Sequence, residues 1–256
     1  MNTGASSGIG ATYAERFART GHDLVLVARD EAGLAAPAAG LRASHGVAVA
    51  VLRADLTHPD DLATIETHWR DDGRIGILVN NAGLAQSGGF AQQNPDAIGG
   101  LVTLNITALT RLAAAVALRF LQSGSGAIVN IGSVVGLAPE FDMAIYGATK
   151  AFALFLSQGL HLELSPHGVY VQAVLPAATR TEIWQRAAGI DASAMSDMME
   201  VDALVDAALV GFDHRETVTI PALHVEGRWQ ALEGARQALL SDRKQAHAAD
   251  RSLRRG

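Results

Sequence analysis

Cysteine is absent from the 256 residues, which removes disulfides, thiolate metal ligands and a cysteine nucleophile together. A reduced, cytoplasmic setting is the expectation. The opening MNTGASSGIG has neither the basic nor the apolar region of a signal peptide. No apolar run reads as long enough to span a bilayer, so no membrane partner is expected. Basic residues do not cluster before the last dozen or so positions and the formal net charge is -6, which leaves a nucleic-acid partner without an electrostatic footprint. With 49% apolar and 18% charged residues, neither disorder nor a fibrous repeat is indicated.

What is present is an alternation of short apolar runs with longer alanine-rich stretches. Strands are expected at 24–28, 47–53, 75–80, 127–131, 169–175 and 218–220, each nearly continuous in apolar residues, as when helices cover both faces of a parallel sheet. Helices are expected at 10–19, 31–44, 62–70, 96–121, 146–164 and 201–212. Alternation of this kind builds an α/β, Rossmann-type doubly wound parallel sheet flanked by helices. No linker or internal repeat divides the chain, so one domain is expected over 1–240. The stretch 241–256, with Arg243, Lys244, Arg251, Arg254 and Arg255, reads as a flexible basic tail.

The loop Thr3-Gly4-Ala5-Ser6-Ser7-Gly8-Ile9-Gly10 opens directly into a helix. Gly4 permits a tight turn, Gly8 lets the backbone approach an anion, and Gly10 allows close packing of the helix on the sheet. The helix N-terminus would then offer N–H groups and a positive dipole end to a diphosphate. A plain strand-to-helix turn uses the same residues. Farther along, Tyr146 and Lys150 stand four apart on one helix face, where an ammonium can lower the phenol from its ordinary value near ~10. Alone, this spacing is more often a solvated helix face.

Together, Thr3–Gly10, Asn80-Asn81-Ala82-Gly83, Ser133 and Tyr146-x-x-x-Lys150 resemble the classical short-chain dehydrogenase/reductase family. The resemblance runs from Thr3 to about Thr181, and it implies an NAD(P)-dependent oxidoreductase moving a hydride between the cofactor and a ketone, aldehyde or secondary alcohol. In that family Tyr146 would be the acid/base and Ser133 the donor to the substrate oxygen. Lys150 would bind the nicotinamide ribose, and Asn105 would order a water behind it. Around the cofactor it implies Gly4, Ser6, Ser7, Gly8, Ile9 and Gly10 at the phosphates, with Asp55 and Leu56 at the adenine. Asn81, Ala82 and Gly83 would pass the adenosine half, while Pro176, Thr179 and Thr181 would face the nicotinamide with Tyr146 and Lys150. Asp55 is also a candidate helix cap, Asn81 a capping turn, and Asn105 a kink or packed hydrogen bond inside a helix. Ala177 stands where the family has glycine, which puts the role of Thr179 in doubt.

Arg29 directly follows the second strand, and a guanidinium there pairs with a 2′-phosphate. NADP(H) is therefore favoured, with NAD(H) the alternative that Asp30 and the absence of a basic residue at Ser7 keep open. No metal site is expected. Substrate contacts are sought in 84–93, 137–145 and a lid at about 183–199, among Phe90, Phe141, Met143, Trp184, Met195, Met198 and Met199, although ordinary packing explains the same residues. A homodimer or homotetramer built on the helices beginning near Asp96 and Tyr146 is expected. The competing readings are an idle NADP(H)-binding sensor or scaffold of the same fold and an inactive N-terminally truncated product. The second arises because only Met1 and Asn2 precede the loop, where the family has a full apolar strand, and it leads to the expectation of a start upstream of Met1.

Overall fold

The computed structural model describes residues 1–189, 195–249 and 252. By internal contacts the chain forms two units, Met1–Pro221 and Ala222–Gly256. The first unit holds a seven-stranded, wholly parallel sheet of order β3-β2-β1-β4-β5-β6-β7. Its strands are β1 Asn2–Thr3, β2 Leu24–Ala28, β3 Val49–Arg53, β4 Ile77–Asn80, β5 Gly126–Ile131, β6 Val169–Val174 and β7 Val218–Thr219. Its helices are α1 Gly8–Arg19, α2 Glu31–His45, α3 Pro59–Asp71, α4 Pro95–Val102, α5 Leu109–Ser123, α6 Ala144–Leu164, α7 Ile183–Ala188 and α8 Val201–Asp213. The second unit carries α9, Gly227–Ala238, with no buried residue, and an exposed 3₁₀ turn at Leu239–Lys244. Of the basic tail, Arg251, Arg254 and Arg255 lie outside the described residues.

Alternating strand side chains feed two layers, as the period-two geometry of a strand requires. Leu26 and Ala28 pack with Ala14, Ala18, Leu34 and Ala38 of α1 and α2. Val27, between them, joins Leu62, Ile65, Trp69, Leu112, Val116 and Phe120 of α3 and α5 on the other face. On the side of α1 and α8, Tyr13, Leu204, Val205 and Ala208 cover Val129, Ile131 and Val174. Each such aliphatic or aromatic side chain removed from water contributes about 1.5–3 kcal/mol, so the sheet is held from both faces.

β1 is only two residues long and still pairs on both sides, Asn2 with Leu26 and Val79 and Thr3 with Val27. Met1 extends the pairing, its carbonyl accepting from Val79 N at 2.8 Å. This places the strand-order reversal between β1 and β4, where open α/β sheets bind ligands beyond the strands' carboxyl ends.

Two expectations need correction. The stretch Pro95–Ser123 is 29 residues long with a hydropathy of 1.7 over its most apolar window, so by length and composition it could cross a membrane. Its Leu101, Leu112, Val116 and Phe120 are instead nearly completely buried inside the fold. Nor is it one continuous α-helix: Thr103–Ala108 forms a π-helical turn between α4 and α5, an insertion frequent at functional positions.

Candidate active site

The glycine loop is built by close approaches that a side chain would block. Gly4 lies at φ +64°, and a Cβ on Gly10 would stand 2.3 Å from the Gly4 carbonyl oxygen, so Gly10 packs on the loop itself. Asn81 holds the loop from β4, its Nδ2 donating to the carbonyls of Thr3 at 3.0 Å and Gly4 at 3.1 Å. Thr3 reciprocates, its hydroxyl accepting from the N–H groups of Asn81 and Ala82, each at 3.0 Å. These two bonds make Thr3, at the start of the loop motif, a structural clasp.

A cleft of about 400 Å³ opens over this loop. Gly4, Ser6, Ser7, Gly8 and Ile9 line one end, and Arg29, Asp55 and Leu56 another. Asn81, Ala82, Gly83 and Thr181 complete the expected set, with Leu104, Glu182 and Ile183 added by the fold. Of the expected cofactor residues, Gly10, Tyr146, Lys150, Pro176 and Thr179 lie off this lining. The cleft fits a dinucleotide: Ser7 begins α1 without a side-chain cap, so the first-turn N–H groups stay available to an anion. Asp30 also lines the cleft beside Arg29, and one oxygen of its carboxylate caps α2 by accepting from Gly33 N at 2.9 Å. Asp55 accepts from the Thr57 N–H at 2.9 Å and hydroxyl at 2.6 Å in a local turn. Its carboxyl is lowered overall: partial burial, the largest influence, raises it, and the Thr57 bonds followed by the Arg29 charge outweigh that.

At the other end, β5 delivers Ser133 and α6 delivers Tyr146 and Lys150. Ser133 opens the 3₁₀ turn Val134–Leu137, accepting from Val135 N at 3.2 Å and donating to Pro176 O at 3.4 Å. That bond joins the segment after β6 to the turn after β5. Lys150 is buried and donates from Nζ to Ile131 O at 2.9 Å, with Nζ 5.6 Å from the Tyr146 ring centre. Burial lowers the Lys150 amine to about 8. Burial also pushes the Tyr146 phenol up to about 12, against a smaller lowering by the nearby Ser133 hydroxyl. The expected lowering by Lys150 is not what dominates here: burial is, and the phenol is protonated at neutral pH.

Gly136 escaped the sequence reading. A Cβ there would meet Ala151 N at 2.6 Å and Lys150 C at 2.7 Å, so only glycine lets the Ser133 turn lie against the α6 backbone. Asn105 sits in the π turn, its Oδ1 accepting from Leu84 N and its Nδ2 donating to Leu84 O, both at 2.9 Å. Its Nδ2 also donates to Thr149 Oγ1 at 3.0 Å. Thr179 turns its hydroxyl onto Ala177 O at 2.9 Å, whereas Thr181 reaches the cleft beside Gly8.

The expected lid begins with α7, and residues 190–194 of it lie outside the described residues. Its base is closed by a short backbone pairing: Arg180 N donates to Met199 O and Met199 N to Ala178 O, both at 2.9 Å. Trp184 Nε1 donates to Thr179 O at 2.8 Å, and Ser87 Oγ to Ala187 O at 3.1 Å. Met198 and Met199 belong to packing, the first buried and the second set against the α8 cluster. Phe90, Phe141 and Met195 are exposed.

The family model described as short chain dehydrogenase matches residues 1–189. A solved short-chain dehydrogenase from Sphingobium yanoikuyae in complex with NADPH is 73% identical, covers 98% of each chain and superposes with a TM-score of 0.96. The bulky-bulky ketone specific alcohol dehydrogenase from Comamonas testosteroni is 61% identical over 99% of this chain and 97% of its own, with a TM-score of 0.92. An uncharacterized oxidoreductase of Staphylococcus saprophyticus is 34% identical over 182 residues, covering 71% of this chain and 78% of that protein. The chain spans 58% or 59% of the length of the next curated relatives it matches. With the Rossmann-type sheet and the matched motifs in place, the chain belongs to the short-chain dehydrogenase family, an NAD(P)-dependent oxidoreductase acting on CH–OH and C=O groups.

Proposed function

We propose that this chain is an NADP(H)-dependent reductase of ketones carrying two bulky apolar substituents, and in reverse a dehydrogenase of the matching secondary alcohols. The observation that carries the reading is buried Lys150, its Nζ 5.6 Å from the Tyr146 ring centre and donating to Ile131 O at the carboxyl end of β5, just before Ser133, together with a cleft of about 400 Å³ lined from the glycine loop to Arg29. A bound nicotinamide supplies the hydride. Tyr146, protonated at neutral pH, gives its proton to the carbonyl oxygen, and the Ser133 hydroxyl donates a hydrogen bond to the same oxygen as charge develops there. Lys150 would hold the cofactor ribose, and Arg29 would pair with a 2′-phosphate. Support for the cofactor comes from the NADPH-bound relative, and for the substrate class from the bulky-ketone relative. A homo-oligomer and a cytoplasmic setting belong to the same reading, the latter on the absence of cysteine.

The test follows nicotinamide absorbance over a panel of small, aryl-alkyl and long dialkyl ketones with NADPH and with NADH, beside Tyr146→Phe. The expected result is a higher kcat/KM for bulky ketones with NADPH, and loss of turnover in Tyr146→Phe with NADPH affinity kept. Oxidation of neither cofactor with any ketone overturns the reading, as does full activity of the phenylalanine variant.

A further inference from the structure

We propose that Thr149 is a positioning residue for proton transfer, its hydroxyl fixing the catalytic turn of α6 to the π turn that carries Asn105. The proposal rests on the reading of Tyr146 as the proton donor. Thr149 is 1% exposed and Asn105 3%, so neither has water to fall back on. The Thr149 hydroxyl donates to Tyr146 O at 2.8 Å, an ordinary back-bond within a helix. What is not ordinary is its second use, as acceptor for the Asn105 amide 44 residues earlier, at 3.0 Å.

Asn105 has two amide N–H bonds, and both are committed, one to Leu84 O and the other to Thr149. Its oxygen accepts from Leu84 N. A chain of bonds, fully buried at its Asn105–Thr149 link, thus runs from the loop after β4, through the π turn, to the backbone carbonyl of the residue that gives the proton. Its middle member borders Lys150: a Cβ on Gly83 would lie 3.4 Å from Asn105 Oδ1 and 3.6 Å from Lys150 Nζ. An amide free to turn there would change what the ammonium faces and release the turn holding Tyr146. Valine at 149 keeps the shape and strands one Asn105 N–H, while serine keeps both bonds.

The test compares Thr149→Val and Thr149→Ser with the wild-type enzyme in ketone reduction with NADPH. It reads kcat, KM, the solvent deuterium isotope effect and NADPH affinity, together with hydrogen exchange of residues 80–110 without cofactor. Thr149→Val is expected to lower kcat about tenfold or more, to raise the solvent isotope effect and to leave NADPH affinity within about threefold, a loss confined to the chemical step. Exchange over 80–110 is expected to quicken while β6 keeps its protection, and Thr149→Ser is expected to restore all of these. A wild-type kcat and isotope effect in Thr149→Val overturns the proposal, as does a serine variant impaired as much as valine. Failure of both Thr149→Val and Thr149→Ala to fold makes the role structural and overturns it too. If the wild-type protein reduces no ketone, the reading of the site has failed instead, and the exchange measurement alone decides whether Thr149 ties the two turns.

Discussion

At the scale of single residues, the cofactor preference and the state of Lys150 have measurable consequences. Arg29 is exposed just after β2 and lines the cleft together with Asp30, one of whose carboxylate oxygens caps α2. A charge-assisted bond is worth about 1.5–3 kcal/mol, so Arg29→Ala is expected to weaken NADPH binding roughly tenfold or more and to leave NADH nearly unchanged. Equal losses in titrations with the two cofactors would remove Arg29 from the 2′-phosphate. Lys150 has its amine lowered to about 8 by burial, whereas an unfolded lysine titrates near ~10.4. Between those values the unfolded chain binds more protons than the folded one, so stability rises with pH. Below about pH 8 the full cost of charging the buried amine is carried. Above pH 10 the raised Tyr146 phenol reverses the trend, because the unfolded tyrosine then loses its proton first. From pH 8 to 10 the unfolding free energy of the wild type is therefore expected to gain about 2 kcal/mol on Lys150→Met, read by denaturant titration. Parallel curves for the two proteins would contradict the buried charge. Ser133, Tyr146 and Lys150 were legible because chemistry restricts side-chain type and family spacing restricts position. The backbone groups that bond Lys150, Asn105 and Ser133, namely Ile131 O, Leu84 N and O, and Pro176 O, were not, because every residue offers the same backbone groups and only the fold selects among them.

At the scale of elements, apolar continuity marks β2 to β6 because strands covered on both faces admit few polar residues. β1 is two polar residues, Asn2 and Thr3, and is a strand only through its pairing with β2 and β4, which no local pattern announces. The π turn is hidden for a related reason: Thr103–Ala108 has helical composition, and the extra residue per turn shows only once Asn105 finds Leu84 and Thr149. The helix α9 was not expected either, and none of its residues is buried. Gly136 belongs at this scale, because it sets how near the Ser133 turn approaches α6. Gly136→Ala would drive a methyl into the backbone of Lys150 and Ala151, which a helix interior cannot yield without moving Lys150. Overpacking of this kind costs about 1–3 kcal/mol, a fall in Tm of roughly 2–12 °C for a chain of this size, and kcat should drop with it. Gly40, exposed within α2 with nothing near its Cβ position, is the control. Gly40→Ala is expected to raise stability by about 0.5–1 kcal/mol. If Gly136→Ala were as stable and active as Gly40→Ala, the close approach would not be setting the site.

At the scale of the whole molecule, the surface of α6 is at odds with a solvated monomer. Phe155 and Leu162 are 74% and 77% exposed and lie seven residues apart, hence on one face of the helix. On α5, Leu118 is 64% exposed. Side chains of this size are worth about 1.5–3 kcal/mol each when removed from water, and on a helix otherwise packed into the core they mark a surface that gains by being covered. A second copy presenting the same face would cover it by two-fold symmetry, the commonest arrangement among oligomers. Light scattering behind size exclusion is therefore expected to give a multiple of the chain mass for the wild type, and a smaller species for Phe155→Glu combined with Leu162→Glu. The unit Ala222–Gly256 also exposes Leu232, Leu239 and Leu240, so the result must separate two sources of assembly. A double variant that keeps the wild-type mass rules out the α6 face and moves the interface elsewhere, while a monomeric wild type removes the oligomer altogether. If the mass falls and NADPH affinity stays, the cleft is complete within one chain, as expected of a site whose Ser133, Tyr146, Lys150 and glycine loop all belong to Met1–Pro221.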